Sequence, residues 1–208
     1  MSTRTDELSI SISQSTAVVR LSRPAKRNSL STPILEQLTT AIGELASRTD
    51  LNSIVLTGTG NVFTAGADIH ELVELTPGMA VAFAERGREL CETIAGARQF
   101  TVAAINGHCM GGGLDLALAC DVRVASPNAL FAHPGVRIGI VTGWGGTQRL
   151  PRLIGRTRAL EMFLTARLIG ADEAYRSGLV DYVVDSPVEF AQQLAEKAHK
   201  AHPRSGFL

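Results

Sequence analysis

Hydrophobic and polar positions change period along this chain, and each change marks an element. LSISIS (8–13) alternates strictly, and AVVRL (17–21) follows a short polar break, which predicts an antiparallel strand pair. A helical period takes over near Ser31 or Thr32, with Pro33 in the first turn and Leu35, Leu38, Ile42 and Leu45 on one face. Two unbroken apolar runs, SIVLTG (53–58) and TVAAIN (101–106), read as buried strands that end in glycine-rich loops. A short helix is predicted from Asp68, a longer one over 79–96, and short strands at VRVAS and ALFAH. Helices near 147–154, 156–165 and 171–177, a strand at LVDYVV and a last helix from about 187 complete the pattern. Strands alternating with helices predict an α/β fold, one domain over 1–208 that turns helix-rich from about 145.

Composition narrows the function classes. Lys plus Arg and Asp plus Glu both count 20, so the net charge is zero and no general grip on nucleic acid is expected. The three cysteines, Cys91, Cys109 and Cys120, are odd in number and show no C-x-x-C pair, which points to reduced thiols and a cytoplasmic protein. MSTRTDELSISISQ lacks the apolar core of a signal peptide, and no run approaches the roughly 18 apolar residues of a membrane span, so no membrane partner is expected. The histidines, His70, His108, His133, His199 and His202, show no zinc-ligand spacing, and no metal is expected. GTGNVF (58–63) carries Phe63 where a dinucleotide fingerprint has its third glycine. No G-x-S-x-G or Walker motif is present.

Two loops share one design: a buried strand ends, glycines follow, and a helix starts. They are TAGAD (64–68) and MGGGLD (110–115). The first N–H groups of a helix lack internal partners, and glycine lets a ligand approach them. Two such donors from separate loops can hold one carbonyl oxygen as an oxyanion; the same glycines also serve simple tight turns. Asp68 reads as an N-cap, with Glu71 completing a D-x-x-E capping pattern, as well as a ligand contact. Asp115 sits among Leu114, Leu116, Ala117, Leu118, Ala119 and Cys120, in a helix with no polar face. A carboxylate buried there costs more than the helix dipole returns, which suits general acid–base work. The alternative is a first-turn helix stabiliser.

Taken together, RPAKRNSL (23–30), FTAGADIHEL, AAINGHCMGGGLDLALACDVRVAS, GGTQRLPRLIG (145–155) and GLVDYVV make the chain resemble the enoyl-CoA hydratase/isomerase (crotonase) family over nearly its whole length. The resemblance implies a spiral of β–β–α units. It implies an acyl-CoA thioester as ligand, chemistry through a thioester enolate, and a place in fatty acid metabolism. It also implies no cofactor beyond the coenzyme A of the substrate. By position, the oxyanion donors are the N–H groups of Ala67 and Gly112, beside Gly111. Ala65, Gly66, Asp68 and Ile69 lie along the CoA moiety, with Lys26 or Arg27 near its phosphates. The family pattern also implies a homo-oligomer, a trimer or dimer of trimers.

The chain departs from that pattern in three places. Of the two glutamates that hydratases of the family use, the first position carries Asp115, one methylene shorter. The second falls on Gly135, which has no side chain; His133 or water in the space over Gly135 is one substitute, and His133 as an ordinary packed residue is the alternative. Gly143 matches the glycine facing the catalytic water and replaces the aspartate nucleophile of dehalogenating relatives. The family's C-terminal helical extension is expected to be largely missing after AHPRSGFL. Hydration of a 2-enoyl-CoA is the expected activity. The alternatives are an enoyl-CoA isomerase or lyase, and a non-catalytic or redirected CoA-thioester binding protein.

Overall fold

A strand in one sheet, a strand in a second sheet, then a helix: this unit recurs three times. The computed structural model describes residues 2–4 and 7–201, with backbone alone at 2–4 and 199–201. The terminal HPRSGFL, with His202, lies outside the described residues, as does the His199 side chain. β1 (Ser2–Arg4), β2 (Leu8–Ser13) and β3 (Thr16–Leu21) form an antiparallel meander, and α1 (Thr32–Ser47) follows. The first unit is β4 (Ser53–Thr57), β5 (Val62–Thr64), α2 (Ile69–Leu72) and α3 (Pro77–Ala95). The second is β6 (Phe100–Ile105), β7 (His108–Met110) and α4 (Gly112–Leu118). The third is β8 (Val122–Ala125), β9 (Leu130–Ala132) and α5 (Gly146–Ile154). After these come α6 (Arg156–Thr165), β10 (Ile169–Gly170), α7 (Ala171–Ser177), β11 (Tyr182–Val183) and α8 (Pro187–Ala201).

The larger sheet runs β1-β2-β3-β4-β6-β8-β11, parallel from β3 onward, and the smaller runs β10-β9-β7-β5. Both faces of the larger sheet are covered, which explains why SIVLT and TVAAI show no alternation. Ile54, Leu56, Ala103 and Ile105 point into the main core with α1 and α3, while Val55, Val102 and Ala104 point at α8 and pack around Ala191. The predicted face of α1, Leu35, Leu38, Ile42 and Leu45, is buried in that main core.

Two expectations shift. LVDYVV yields only the two-residue β11, because Leu179 and Val180 are already core residues and Asp181 is held by Arg123 at 2.8 Å. The strands β5 and β7, three residues each, have no counterpart in the sequence pattern; they are too short to establish a period.

Candidate active site

The first glycine loop is held from behind by buried polar residues. Asn28, fully buried with φ of 53°, donates to the carbonyls of Val62 (2.8 Å) and Phe63 (3.3 Å) and accepts from the Arg23 N–H. The Ala65 N–H donates to the Arg27 carbonyl (3.1 Å), which ties the loop to the segment before α1. Leu30 then forms a bridge across Ala67: its N–H donates to Gly66 O (2.8 Å), and its carbonyl accepts from the Asp68 N–H (3.1 Å). In such a bridge the middle residue's own N–H is directed away from Leu30, and Ala67 borders a cavity on that other side.

Asp68 is an N-cap, accepting from the His70 N–H at 3.1 Å. Burial pulls its carboxyl up, but the Ser29 hydroxyl (2.9 Å) and the His70 N–H outweigh this and hold it below its ordinary value. The D-x-x-E pattern does not close as a capping box. The Asp68 N–H is used by Leu30, and Glu71 instead accepts from the Thr32 N–H at the start of α1 (2.8 Å).

The second glycine loop answers to a tryptophan. Gly111 turns the chain at φ of 52°, and Gly112 opens α4 with an N–H that no helical carbonyl can reach. A Cβ on Gly112 would lie 2.1 Å from the Trp144 ring, and one on Gly66 would lie 3.0 Å from the Gly112 nitrogen. The two loops therefore meet with no side chain between them. Gly111, Gly112 and Ala67 border one cavity of about 250 Å³, whose wall is otherwise mainly apolar and includes Leu72, Phe83, Val136, Ile140 and Phe163.

Another part of the cavity wall is made of side chains. Asp115, in the first turns of α4, is 0% exposed and stands behind Thr142 and His133, which do border the cavity. The Thr142 hydroxyl donates to Asp115 Oδ2. Asp115 Oδ1 lies 3.5 Å from His133 Nε2, and neither atom has a hydrogen-bond partner although both are buried. Burial pushes the Asp115 carboxyl up to about 7, against the lowering pull of the Thr142 hydroxyl and of Arg149. Burial also pulls the His133 imidazole down to about 4. The His133 ring packs on Phe163 with centroids 4.8 Å apart.

Most of the residues singled out in the sequence converge here. Gly143 borders the cavity, and Lys26, Arg27 and Ile69 are exposed on the segments flanking the first loop. Gly135 is closely overlain. It borders the cavity, but the space over it is taken: a Cβ would lie 2.6 Å from the Ile140 carbonyl oxygen, whose own N–H donates back to Gly135 (3.0 Å). The Ile140 backbone therefore closes the place a side chain at 135 would take. The sequence reading passed over Thr142, Trp144 and Gly146. Gly146 matters because a Cβ there would fall 1.9 Å from Asp115 Oδ1. The one visible signal was a sole tryptophan set inside a glycine loop.

Fold and site together define a class: a β–β–α spiral in which two glycine loops bring backbone donors to an apolar cavity backed by a buried carboxyl. The family model described as enoyl-CoA hydratase/isomerase matches residues 11–204, and the chain belongs to that family. Short-chain-enoyl-CoA hydratase of Clostridium acetobutylicum is 40% identical over 185 residues, 88% of this chain and 70% of that protein. A Mycobacterium bovis protein named "Probable enoyl-CoA hydratase" is 40% identical over 171 residues, 82% of this chain. The match spans only 66% of that relative's length, just short of two thirds. The crystal structure of an enoyl-CoA hydratase from Bacillus anthracis superposes with a TM-score of 0.88 at 36% identity, covering 92% of this chain and 76% of the other. The fold is thus the crotonase spiral.

Proposed function

We propose that this protein binds an acyl-CoA thioester and hydrates a 2-enoyl-CoA. One observation carries the reading: the backbone at Ala67 and Gly112, from two separate loops, borders one apolar cavity whose wall also holds Thr142 and His133, with the buried carboxyl of Asp115 behind them. The two N–H groups hold the thioester oxygen, stabilise it as charge develops there, and so make C3 electrophilic. Asp115, raised to about 7 by burial, belongs to the group that takes a proton from water and returns one to C2. Coenzyme A lies along Ala65 to Ile69, its phosphates toward Lys26 and Arg27. The reaction draws on no further cofactor. Relatives named as hydratases at 40% identity support this reading.

A second reading, a CoA-thioester binding protein without turnover, is favoured by the closed backbone at Gly135, where the family's second carboxylate has no room. Turnover of a panel of trans-2-enoyl-CoAs, followed by loss of the conjugated thioester absorbance and paired with thermal shifts, separates the two. Turnover with stabilisation is expected; stabilisation alone favours the binder, and neither removes both readings.

A homo-oligomer in the cytoplasm is part of the proposal. Val136, Ile138, Ile140 and Val141 form an exposed apolar run beside the cavity, a surface that suits burial against another copy. No helix of the described residues is long and apolar enough to cross a membrane. Sedimentation at micromolar concentration should give a species larger than one chain, and a pure monomer would remove this part.

A further inference from the structure

Within the hydratase reading, on which this rests, the position of the proton is open. The carboxyl that chemistry requires does not touch the cavity. Asp115 is fully buried, one of its oxygens is taken by Thr142, and the other faces His133. Thr142 spends its hydroxyl proton on that contact and has none to spare. The position of a second carboxylate, at Gly135, is closed by the Ile140 carbonyl. The remaining titratable side chain on the cavity wall is His133, with Nε2 turned to Asp115 Oδ1 at 3.5 Å. Both of those atoms are buried and unpartnered, so a single proton between them satisfies two polar groups at once.

We propose that His133 is the catalytic residue that exchanges the proton with the substrate's water, with Asp115 behind it as its proton partner. In hydration the water O–H bond breaks and its oxygen bonds to C3. The C2–C3 π electrons move onto the thioester oxygen, and the freed proton goes to His133 Nδ1 as the proton on Nε2 passes to Asp115 Oδ1. The enolate then collapses, C2 takes one proton from the pair, the thioester carbonyl is restored, and the pair ends as it began. No oxidant or reductant is involved.

The surroundings suit this role. From α5, Arg149 acts on Asp115; from α6 comes only the uncharged Phe163 ring. The thiols of Cys91 on α3, Cys109 on β7 and Cys120 after α4 are pushed up by burial and stay neutral. Burial raises Asp115 and lowers His133, so a proton accepted at the wall comes to rest on the inner carboxyl.

His133→Gln keeps a hydrogen-bonding group against Asp115 but cannot carry a proton. Its kcat for enoyl-CoA hydration should fall by about 10²-fold or more while KM stays within about threefold. The ¹⁵N imidazole spectrum of His133, recorded across pH without substrate, should differ between the wild type and Asp115→Asn. A His133→Gln enzyme with the wild-type kcat overturns the proposal, and so do identical imidazole spectra in the wild type and Asp115→Asn. If the wild type hydrates no enoyl-CoA, the hydratase reading fails on its own. The spectra then still decide the pair: a difference supports it, and identity overturns it.

Discussion

One part of the cavity wall is made of backbone and another of side chains backed by a buried carboxyl. On the backbone wall, around Ala67 and Gly112, chemistry depends on what has been left out: a methyl on Gly112 would enter the Trp144 ring, and one on Gly66 would strike the Met110 carbonyl at 2.6 Å. On the side-chain wall, His133 and Thr142 border the cavity and Asp115 stands behind them, the three coming from different segments. Their chemistry depends on burial, which drives one group up and the other down. The backbone wall has fixed donors with no protonation state to lose. The side-chain wall is tuned, and it should therefore fail with pH as well as with mutation.

The largest effect is expected on the tuned wall. Asp115→Asn keeps the shape of the group and removes its proton chemistry, so hydration should fall by about 10²- to 10⁴-fold. Acyl-CoA affinity, measured by calorimetry, should change little, because the CoA moiety and the thioester oxygen are held elsewhere. An equal loss of affinity would mean that the two walls are not separable.

On the backbone wall, Gly112→Pro removes one donor, a loss of about 10²- to 10³-fold in turnover at comparable oxyanion sites. Proline is at home in the first turn of a helix, but its Cβ would meet Trp144. Repeating the change in a Trp144→Ala background separates the collision from the missing N–H. Recovery of turnover there would place the donor elsewhere.

Stability against pH sharpens the contrast further. Asp115 sits at about 7 in the fold against an ordinary 3.8, so the folded state holds a proton that the unfolded chain releases. Its contribution is present in full below pH 3.8 and is lost as pH rises to about 7. His133 sits at about 4 against an ordinary 6.5; its contribution has the opposite sign, absent at low pH and gained as pH rises to 6.5. In the wild type the two oppose each other. The single variants should expose slopes of opposite sign, each amounting to on the order of a few kcal/mol over its pH window in denaturation experiments. Asp115→Asn should gain stability from pH 4 to 6.5, and His133→Gln should lose it from pH 4 to 7. Parallel slopes would show that the two groups do not titrate as their burial requires.

A smaller effect is expected from Gly146→Ala, whose Cβ would fall on Asp115 Oδ1. Such overpacking costs about 1–3 kcal/mol, and most of that cost should vanish when Asp115→Ala clears the space. A Gly146→Ala cost that persists in the double variant would point to the backbone and not to the carboxyl.

The same contrast explains what the sequence disclosed. Backbone sites are written as local signals: glycines after a buried strand and before a helix can be read within five residues, and both loops were. Asp115 was legible for a related reason, since a charge in a wholly apolar helix is a local contradiction. Thr142, Gly146 and the 3.5 Å approach of His133 were not legible, because segments 27, 31 and 18 residues from Asp115 meet it only in the folded chain. Glu71 shows the limit of local rules. Its spacing to Asp68 fits a capping box, yet the N–H it would need is taken by Leu30, and a tertiary partner at Thr32 claims the carboxylate. Gly135 shows another limit: an absent side chain suggests space, but Ile140's backbone has moved into it.

The most direct test of the central claim is the initial rate of trans-2-enoyl-CoA hydration by the wild-type protein between roughly pH 5 and 9. With Asp115 raised to about 7 and required in its ionised form to accept the proton, kcat/KM should climb through that value and flatten above it. A rate that is flat across the range would contradict the buried acid–base wall.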